Sequence, residues 1–366
     1  MKITFIIENL NAAGGRERVL TSLANSLVKL NYNVDILDFG KNNKFDLDRK
    51  INVIHSTIRI IDKNSKSLFY YFYKTILIYF YLILQKKYII TSNIVIGFGT
   101  VIGTICLFAG LKNKIIIADR DDPYSVPKFR VMRLVRNMIY YRADGYVFQT
   151  SEMQNYFKKQ IEGKEIRIIL NPISRELPEP YEGMREKRIV NFCRLEPQKN
   201  LTLLIMAFKK FHETHKGYHL EIYGSGSEKT KLVKLIKDNH LDEHVFIKEF
   251  NLNVHSLVLN AMIFVSSSNH EGLSNSMLEA MAIGIPTIAT DCPIGGARTV
   301  IEHGVNGLLT KVGDISQLVR AMEMIAEDES LQLTLSRNGQ KLRSLLNVDA
   351  ITNEWISFIN NILNLE

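Results

Sequence analysis

Residues 262–290, MIFVSSSNHEGLSNSMLEAMAIGIPTIAT, leave the backbone few choices. The apolar run at 262–267 reads as a buried strand. Ser274 suits a helix N-cap, and SMLEAMAIG reads as a helix ending at Gly284, with Pro286 barring its continuation. A second strand starts at 287–290. Strand, glycine loop, helix and strand in so short a span is the crossover unit of an open parallel sheet. Ligands of such sheets sit beyond the carboxyl ends of the strands, where helix N-termini offer free N–H groups to anions.

The same grammar opens the chain. KITFIIENLNAAGGRERVLTSLANSLVKLNYNVDILDF reads as a strand at 3–7, a glycine loop, a helix at 16–30 with an apolar stripe, and a strand at 34–39. Further strands are expected at 51–55, 94–98, 115–118 and 145–149. At 171–188, NPISRELPEPYEGMREKR breaks the pattern with three prolines and dense charge, which marks a linker. A second series then has strands at 189–192, 220–223, 245–247, 263–266 and 287–289, and is largely helical after Gly313. The expected fold is α/β: two Rossmann-like, doubly wound parallel-sheet domains facing across a cleft. The expected boundaries are 1–175 and 186–345, with a final helix near 350–366 packing back on the first domain.

A chain of 366 residues suits two ordinary domains, and 46% hydrophobic content excludes wholesale disorder. Cys106, Cys193 and Cys292 are too few and too scattered for a disulfide framework or a zinc cluster, which fits a reducing compartment. No secretory signal is read in MKITFIIENL, so a cytoplasmic location is expected. The segment LFYYFYKTILIYFYLIL, 68–84, is short for a spanning helix and carries Lys74; it reads as one or two buried helices, with an interfacial helix as the alternative.

Charge divides unevenly. Residues 1–180 hold 27 Lys and Arg against 16 Asp and Glu, so all of the net +8 lies in the first half. Lys128, Arg130, Arg133 and Arg136 recur at helical spacing among apolar residues, which suggests attraction to an anionic membrane surface. No recognition module or aromatic platform for nucleic acid is apparent.

Four candidate loops follow expected strands. Ala13-Gly14-Gly15-Arg16 allows close backbone approach to a ligand ahead of a helix. In FCRLEPQKN, Arg194 and Lys199 stand between a strand and a helix, and two fixed cations there suit a departing diphosphate. Gly224-Ser225-Gly226 is a permissive turn. Glu271 and Glu279, eight positions apart, flank a helix start; carboxylates accept hydroxyl groups well, so the pair suggests a phosphorylated sugar.

Together these motifs resemble family 4 glycosyltransferases of the GT-B fold over nearly the whole chain. GGRERV is similar to their N-terminal glycine loop, NFCRLEPQKNLTLLIMAF to their Arg/Lys diphosphate motif, and HEGLSNSMLEAMAIGIPTIATDCPIGG with VIEHGVNGLLTKVGD to their E-x7-E donor site. ADRDDPYSVPK and ADGYVFQTSEMQNYF resemble bacterial members that build capsular or other cell-surface polysaccharides. The resemblance implies a retaining transferase without a metal cofactor. It would take a nucleotide-sugar donor, expected to be a UDP-sugar, and a lipid-diphosphate-linked saccharide acceptor at the inner face of the membrane. It implies that Arg194 and Lys199 bind the diphosphate, with Gly15 approaching from the other domain. Glu271 would contact the sugar, aided by backbone N–H groups of Gly272, Leu273, Ser274 and Asn275. Glu279 would hold the ribose, and the base would lie near Phe250 and Asn251, beside the Gly224 turn. One departure stands out: no histidine lies between His55 and His212, where many members place one near the reacting centre. Arg120 and Asp122 are the candidates there for acceptor or phosphate contacts. A sugar-nucleotide epimerase, a phosphorylase and a non-catalytic partner subunit of the same fold are the alternative readings.

Overall fold

The computed structural model describes residues 1–10, 14–40, 45–56 and 67–365. They form two compact units, Met1–Pro172 with Val348–Glu366, and Ile173–Asn347.

In the first unit the strands are β1 Lys2–Ile7, β2 Asn33–Asp38, β3 Asn52–His55, β4 Ile94–Phe98, β5 Lys114–Ala118, β6 Gly145–Phe148 and β7 Glu165–Ile168. The helices are α1 Gly15–Lys29, α2 Leu68–Leu84, α3 Lys86–Ile89, α4 Thr100–Phe108, α5 Arg130–Ile139 and α6 Ser151–Phe157. All seven strands are parallel, in the order β3-β2-β1-β4-β5-β6-β7, so the chain reverses direction between β1 and β4. The central strands are apolar on both sides because helices cover both faces.

The second unit has β8 Glu186–Phe192, β9 His219–Tyr223, β10 Val245–Lys248, β11 Ala261–Ser266, β12 Thr287–Asp291 and β13 Leu308–Lys311. Its helices are α7 Leu201–Thr214, α8 Lys229–Asp238, α9 Val254–Val258, α10 Asn275–Ala282, α11 Ile315–Glu327, α12 Glu329–Gln340 and α13 Leu342–Leu345. The sheet is again wholly parallel, β10-β9-β8-β11-β12-β13, with its reversal between β8 and β11. Phe208, Phe211 and Leu204 of α7 pack with Met322 and Ile325 of α11 in its core.

The last helix, α14 Val348–Leu363, belongs to the first unit and packs on α1. Gly145 has no side chain there, which admits Phe358 and Ile362; a methyl group on it would lie 2.5 Å from Ile362 Cδ1. Trp355, Phe358 and Ile359 are fully buried, at roughly 1.5–3 kcal/mol each.

The doubly wound parallel α/β fold therefore appears in both units. Two strands went unread in the sequence, β7 (EIRI) and β13 (LLTK), both four-residue edge strands with too little apolar length to register. Two expectations are corrected. Residues 68–84 form one helix, yet it is buried on one side only: Ile78, Tyr81 and Leu82 lie in the core, while Phe69 is 87% and Leu84 74% exposed. The basic run at 128–136 does not turn all four of its cations toward a membrane surface either, because Arg136 is completely buried. Its guanidinium donates to the carbonyls of Val126 and Pro123 and to the Tyr156 hydroxyl.

Candidate functional site

In the second unit, the loops after β8 and β11 leave neighbouring strands at the point where the sheet order reverses. Open parallel sheets bind ligands at such a point. The loop after β8 runs from Cys193 through a turn at Pro197–Lys199 into α7. Asn200 takes left-handed backbone angles (φ 45°) and its side chain accepts from Leu203 N, capping the helix. The loop after β11 is stitched to it. Ser267 Oγ donates to the Lys199 carbonyl (2.9 Å), Asn269 N to the Gln198 carbonyl (2.8 Å) and Gln198 Nε2 to the His270 carbonyl (2.8 Å).

This stitching brings Lys199 and Glu271 together across 72 positions of sequence. The Lys199 ammonium donates to Glu271 Oε2, which Ser268 Oγ also approaches at 3.2 Å. Burial opposes the lysine charge, but the Glu271 carboxylate outweighs it and holds the Lys199 pKa above its ordinary value. Burial pushes the thiols the other way from reactivity, Cys193 up to about 12 and Cys292 up to about 11, so neither is a thiolate nucleophile at neutral pH. A small hollow beside Glu271 is lined by Ser268, Ser274, Thr290 and Cys292.

Helix α10 closes this region. Ser274 Oγ accepts from Met277 N, and Gly284 (φ 81°) ends the helix with Ile285 N on the Ala280 carbonyl and Gly284 N on that of Met281. Gly272, Leu273, Ser274 and Asn275 lead from Glu271 into its first turn. Glu279 sits one turn further along, only 3% exposed. Its Oε1 accepts from Ser174 N (3.3 Å) and its Oε2 meets His255 Nε2 at 2.9 Å, while Phe192 packs edge-on against the His255 ring. The two carboxylates thus share a helix start but keep different company. His255 escaped the sequence reading because α9, five residues long, carries no motif.

Gly224 follows β9 and lies against the β8 loop, where a methyl group would fall 1.9 Å from the Cys193 carbonyl oxygen. Gly296 does the same for the donor loop, at 1.3 Å from the Gly272 carbonyl oxygen. Phe250, 60% exposed, follows β10 just before α9. Arg194 stands beside Cys193 in the β8 loop.

The first unit holds the remaining candidates. Gly15 is the first residue of α1 and Gly14 its N-cap; Ala13 falls outside the described residues. Arg16 pairs with Asp121 at 3.4 Å, and this carboxylate raises its pKa. Arg120 is buried against the Phe98 ring (4.6 Å) and donates to Asn171 Oδ1; burial pushes its pKa down to about 9. Asp122 folds as a turn residue, Oδ1 accepting from Tyr124 N and its carbonyl from Ser125 and Val126 N. Asp119, not singled out in the sequence, accepts from Thr100 Oγ1 and Tyr140 OH, and burial raises its pKa.

Residues 175–342 match the family model for glycosyl transferases group 1. The chain is 26% identical over 360 residues to an uncharacterized glycosyltransferase of Haemophilus influenzae, covering 97% of this chain and 98% of that protein. It is 25% identical over 371 residues to a Campylobacter jejuni alpha-1,4-N-acetyl-D-galactosaminyltransferase acting on GalNAc-alpha-(1->4)-GalNAc-alpha-(1->3)-diNAcBac-PP-undecaprenol, covering 100% and 99%. In fold it is similar to sucrose-phosphate synthase of Thermosynechococcus elongatus (TM-score 0.84, 18% identity, 100% and 99% covered). It is similar likewise to HepE of Anabaena solved with UDP (TM-score 0.78, 19% identity, 99% and 100% covered). The fold is GT-B, and the second unit matches the model of glycosyl transferases group 1.

Proposed function

We propose that this protein is a retaining, metal-independent transferase of family 4 that moves a hexosyl-type sugar from a UDP-sugar to a lipid-diphosphate-linked saccharide in cell-surface polysaccharide synthesis. It works on the inner face of the cell membrane. The observation that carries the reading is the meeting of Lys199 and Glu271 at the sheet reversal, ahead of the capped start of α10. A relative acting on an undecaprenol-diphosphate saccharide and a structural neighbour solved with UDP support it.

The chemistry follows from charge. As the glycosidic bond to the diphosphate breaks, negative charge grows on the leaving oxygen, and Arg194 and Lys199 stabilise it as fixed cations. They supply what a divalent metal supplies elsewhere. Glu271 accepts from hydroxyls of the transferred sugar, and backbone N–H groups of Gly272 to Asn275 assist. Glu279, held by His255, accepts from the ribose diol. Phe250 offers a face to the base, and Gly15 a close backbone approach on the first unit. Arg120 and Asp122 serve the acceptor. The leaving phosphate takes the acceptor proton, so retention needs no protein nucleophile.

Incubation with a panel of sugar nucleotides and a lipid-diphosphate acceptor, read by mass spectrometry, tests this. Transfer that is lost in Glu271→Ala and Arg194→Ala is the expected result; unaffected rates overturn the assignment. An epimerised sugar nucleotide formed without acceptor would point to an epimerase instead.

A further inference from the structure

Helix α5 is inside out. A surface helix normally turns its apolar stripe inward and its charges to water. In α5 the residue that is wholly buried is Arg136, while Val131, Leu134, Val135 and Met138, at i, i+3, i+4 and i+7, are exposed, Met138 by 73%. Arg136 is fixed in place by two backbone carbonyls and the Tyr156 hydroxyl, and its guanidinium lies 4.7 Å over the Phe157 ring. The orientation is therefore specified by buried bonds.

Helix α2 repeats the anomaly. Phe69, Phe72, Tyr73, Ile76, Phe80 and Leu84 recur at helical spacing and all are exposed. The two helices are neighbours: α4 packs against both, and the Tyr71 ring meets Phe129, the residue before α5, edge-on at 5.5 Å. Phe108 at the end of α4 is exposed as well. Soluble surfaces seldom carry so much contiguous apolar area without a use.

Charge selects the occupant. Residues 68–143 contain eleven Lys and Arg and three acidic residues, Asp119, Asp121 and Asp122, with none acidic on α2, α4 or α5. Lys128, Arg130 and Arg142 are exposed at the ends of α5. A second copy of this chain meeting the patch about a two-fold axis would oppose these cations to one another. An anionic bilayer pairs them with phosphates and takes the apolar stripes below the headgroups. No described helix is long and apolar enough to cross a membrane.

We infer that α2 and α5 form a monotopic docking face that sinks its apolar stripes into an anionic lipid bilayer. The inference rests on the lipid-linked acceptor reading for its purpose, and on burial alone for its contact. Apolar burial is not screened by salt, so bound protein stays bound when salt is raised, in contrast to attachment by surface charge.

Flotation of the full chain with phosphatidylcholine vesicles, and with vesicles that also contain phosphatidylglycerol, tests it. The expected result is salt-resistant binding to the anionic vesicles. Binding falls roughly a hundredfold in Phe72→Ser/Phe80→Ser and in Leu134→Ser/Met138→Ser. A Lys128→Gln/Arg130→Gln/Arg142→Gln triple variant loses the preference for phosphatidylglycerol. Unchanged melting by circular dichroism keeps these exposed substitutions interpretable. Wild-type flotation by the apolar variants overturns the inference, as does a dimer in sedimentation that the same variants dissociate without any effect on vesicles. Transfer to a short-chain, water-soluble acceptor separates the two readings: transfer without vesicle binding refutes the docking face alone, and variant-sensitive binding without transfer refutes the enzyme reading alone.

Discussion

Replacing Gly224 by alanine places a methyl group 1.9 Å from the Cys193 carbonyl oxygen, where ordinary contact begins near 3.4 Å, so the two backbones must part by about 1.5 Å. Neither side can rotate away, because both are main chain. Cys193 N on the Tyr223 carbonyl (3.0 Å) and Leu195 N on the Ser225 carbonyl (2.9 Å) hold these loops together and must stretch. Overpacking costs about 1–3 kcal/mol, and two weakened hydrogen bonds add roughly 1 kcal/mol each. At ~2–4 °C per kcal/mol for a unit of this size, the second unit should melt roughly 6–20 °C lower. The larger consequence is functional, since the displaced loop carries Arg194 and Lys199, and a misplacement of ~1 Å at a reacting group costs about a hundredfold in rate. Gly217→Ala is the control for the clash: its positive φ (89°) strains an alanine, but the added methyl group meets nothing within 4 Å. Scanning calorimetry and titration with UDP read the two effects. If Gly224→Ala melts like Gly217→Ala and binds UDP as the wild type does, the close approach does not position the cations and the reasoning fails.

Lys199→Met should lower the single-turnover rate of transfer by about 10²–10³, with Lys199→Arg recovering part of it; a loss under about threefold by rapid quench would remove Lys199 from the chemistry. His255→Ala removes the imidazole from Glu279 Oε2 and should raise the donor KM several-fold at nearly constant kcat, as expected for about 1 kcal/mol of lost positioning; an unchanged KM would show that Glu279 needs no help from it. Glu221 tests pH dependence away from the site. Burial opposes its charge, but Lys248, Tyr223 and Arg188 outweigh it and hold its pKa below the ordinary carboxylate value. A depressed carboxylate pKa stabilises the fold above the unfolded pKa and loses that contribution as pH falls through the folded one. Glu221→Gln should therefore cost about 2 kcal/mol at neutral pH, and denaturant melts of mutant and wild type should converge as pH falls below the ordinary carboxylate range; a cost independent of pH would contradict the assignment.

Much of the fold was legible because helix and strand periods are local. The strands around 94–98 and 220–223 and the capped helix after Ser274 could be read from a dozen residues each, and the parallel α/β class followed from their alternation. The edge strands β7 and β13 were not, since four residues of mixed polarity carry little periodic signal. Helix α2 was read correctly as a helix, but only one side of it is buried. Hydropathy reports that a side chain avoids water, not what replaces the water.

By itself, then, the sequence determined which segments are strands and helices and which loops bear cations, carboxylates and glycines. Only the tertiary structure decided which of those loops meet. Sheet order brings the β8 and β11 loops side by side, and with them Lys199 and Glu271, while giving Glu279 to a histidine on a helix with no motif. It also turned α5 over, because the hydrogen bonds that the Arg136 guanidinium donates to Val126, Pro123 and Tyr156 set which side of that helix faces the protein. Periodicity is a property of neighbours in sequence; pairing across 72 residues is set by strand order and packing, which no local pattern encodes.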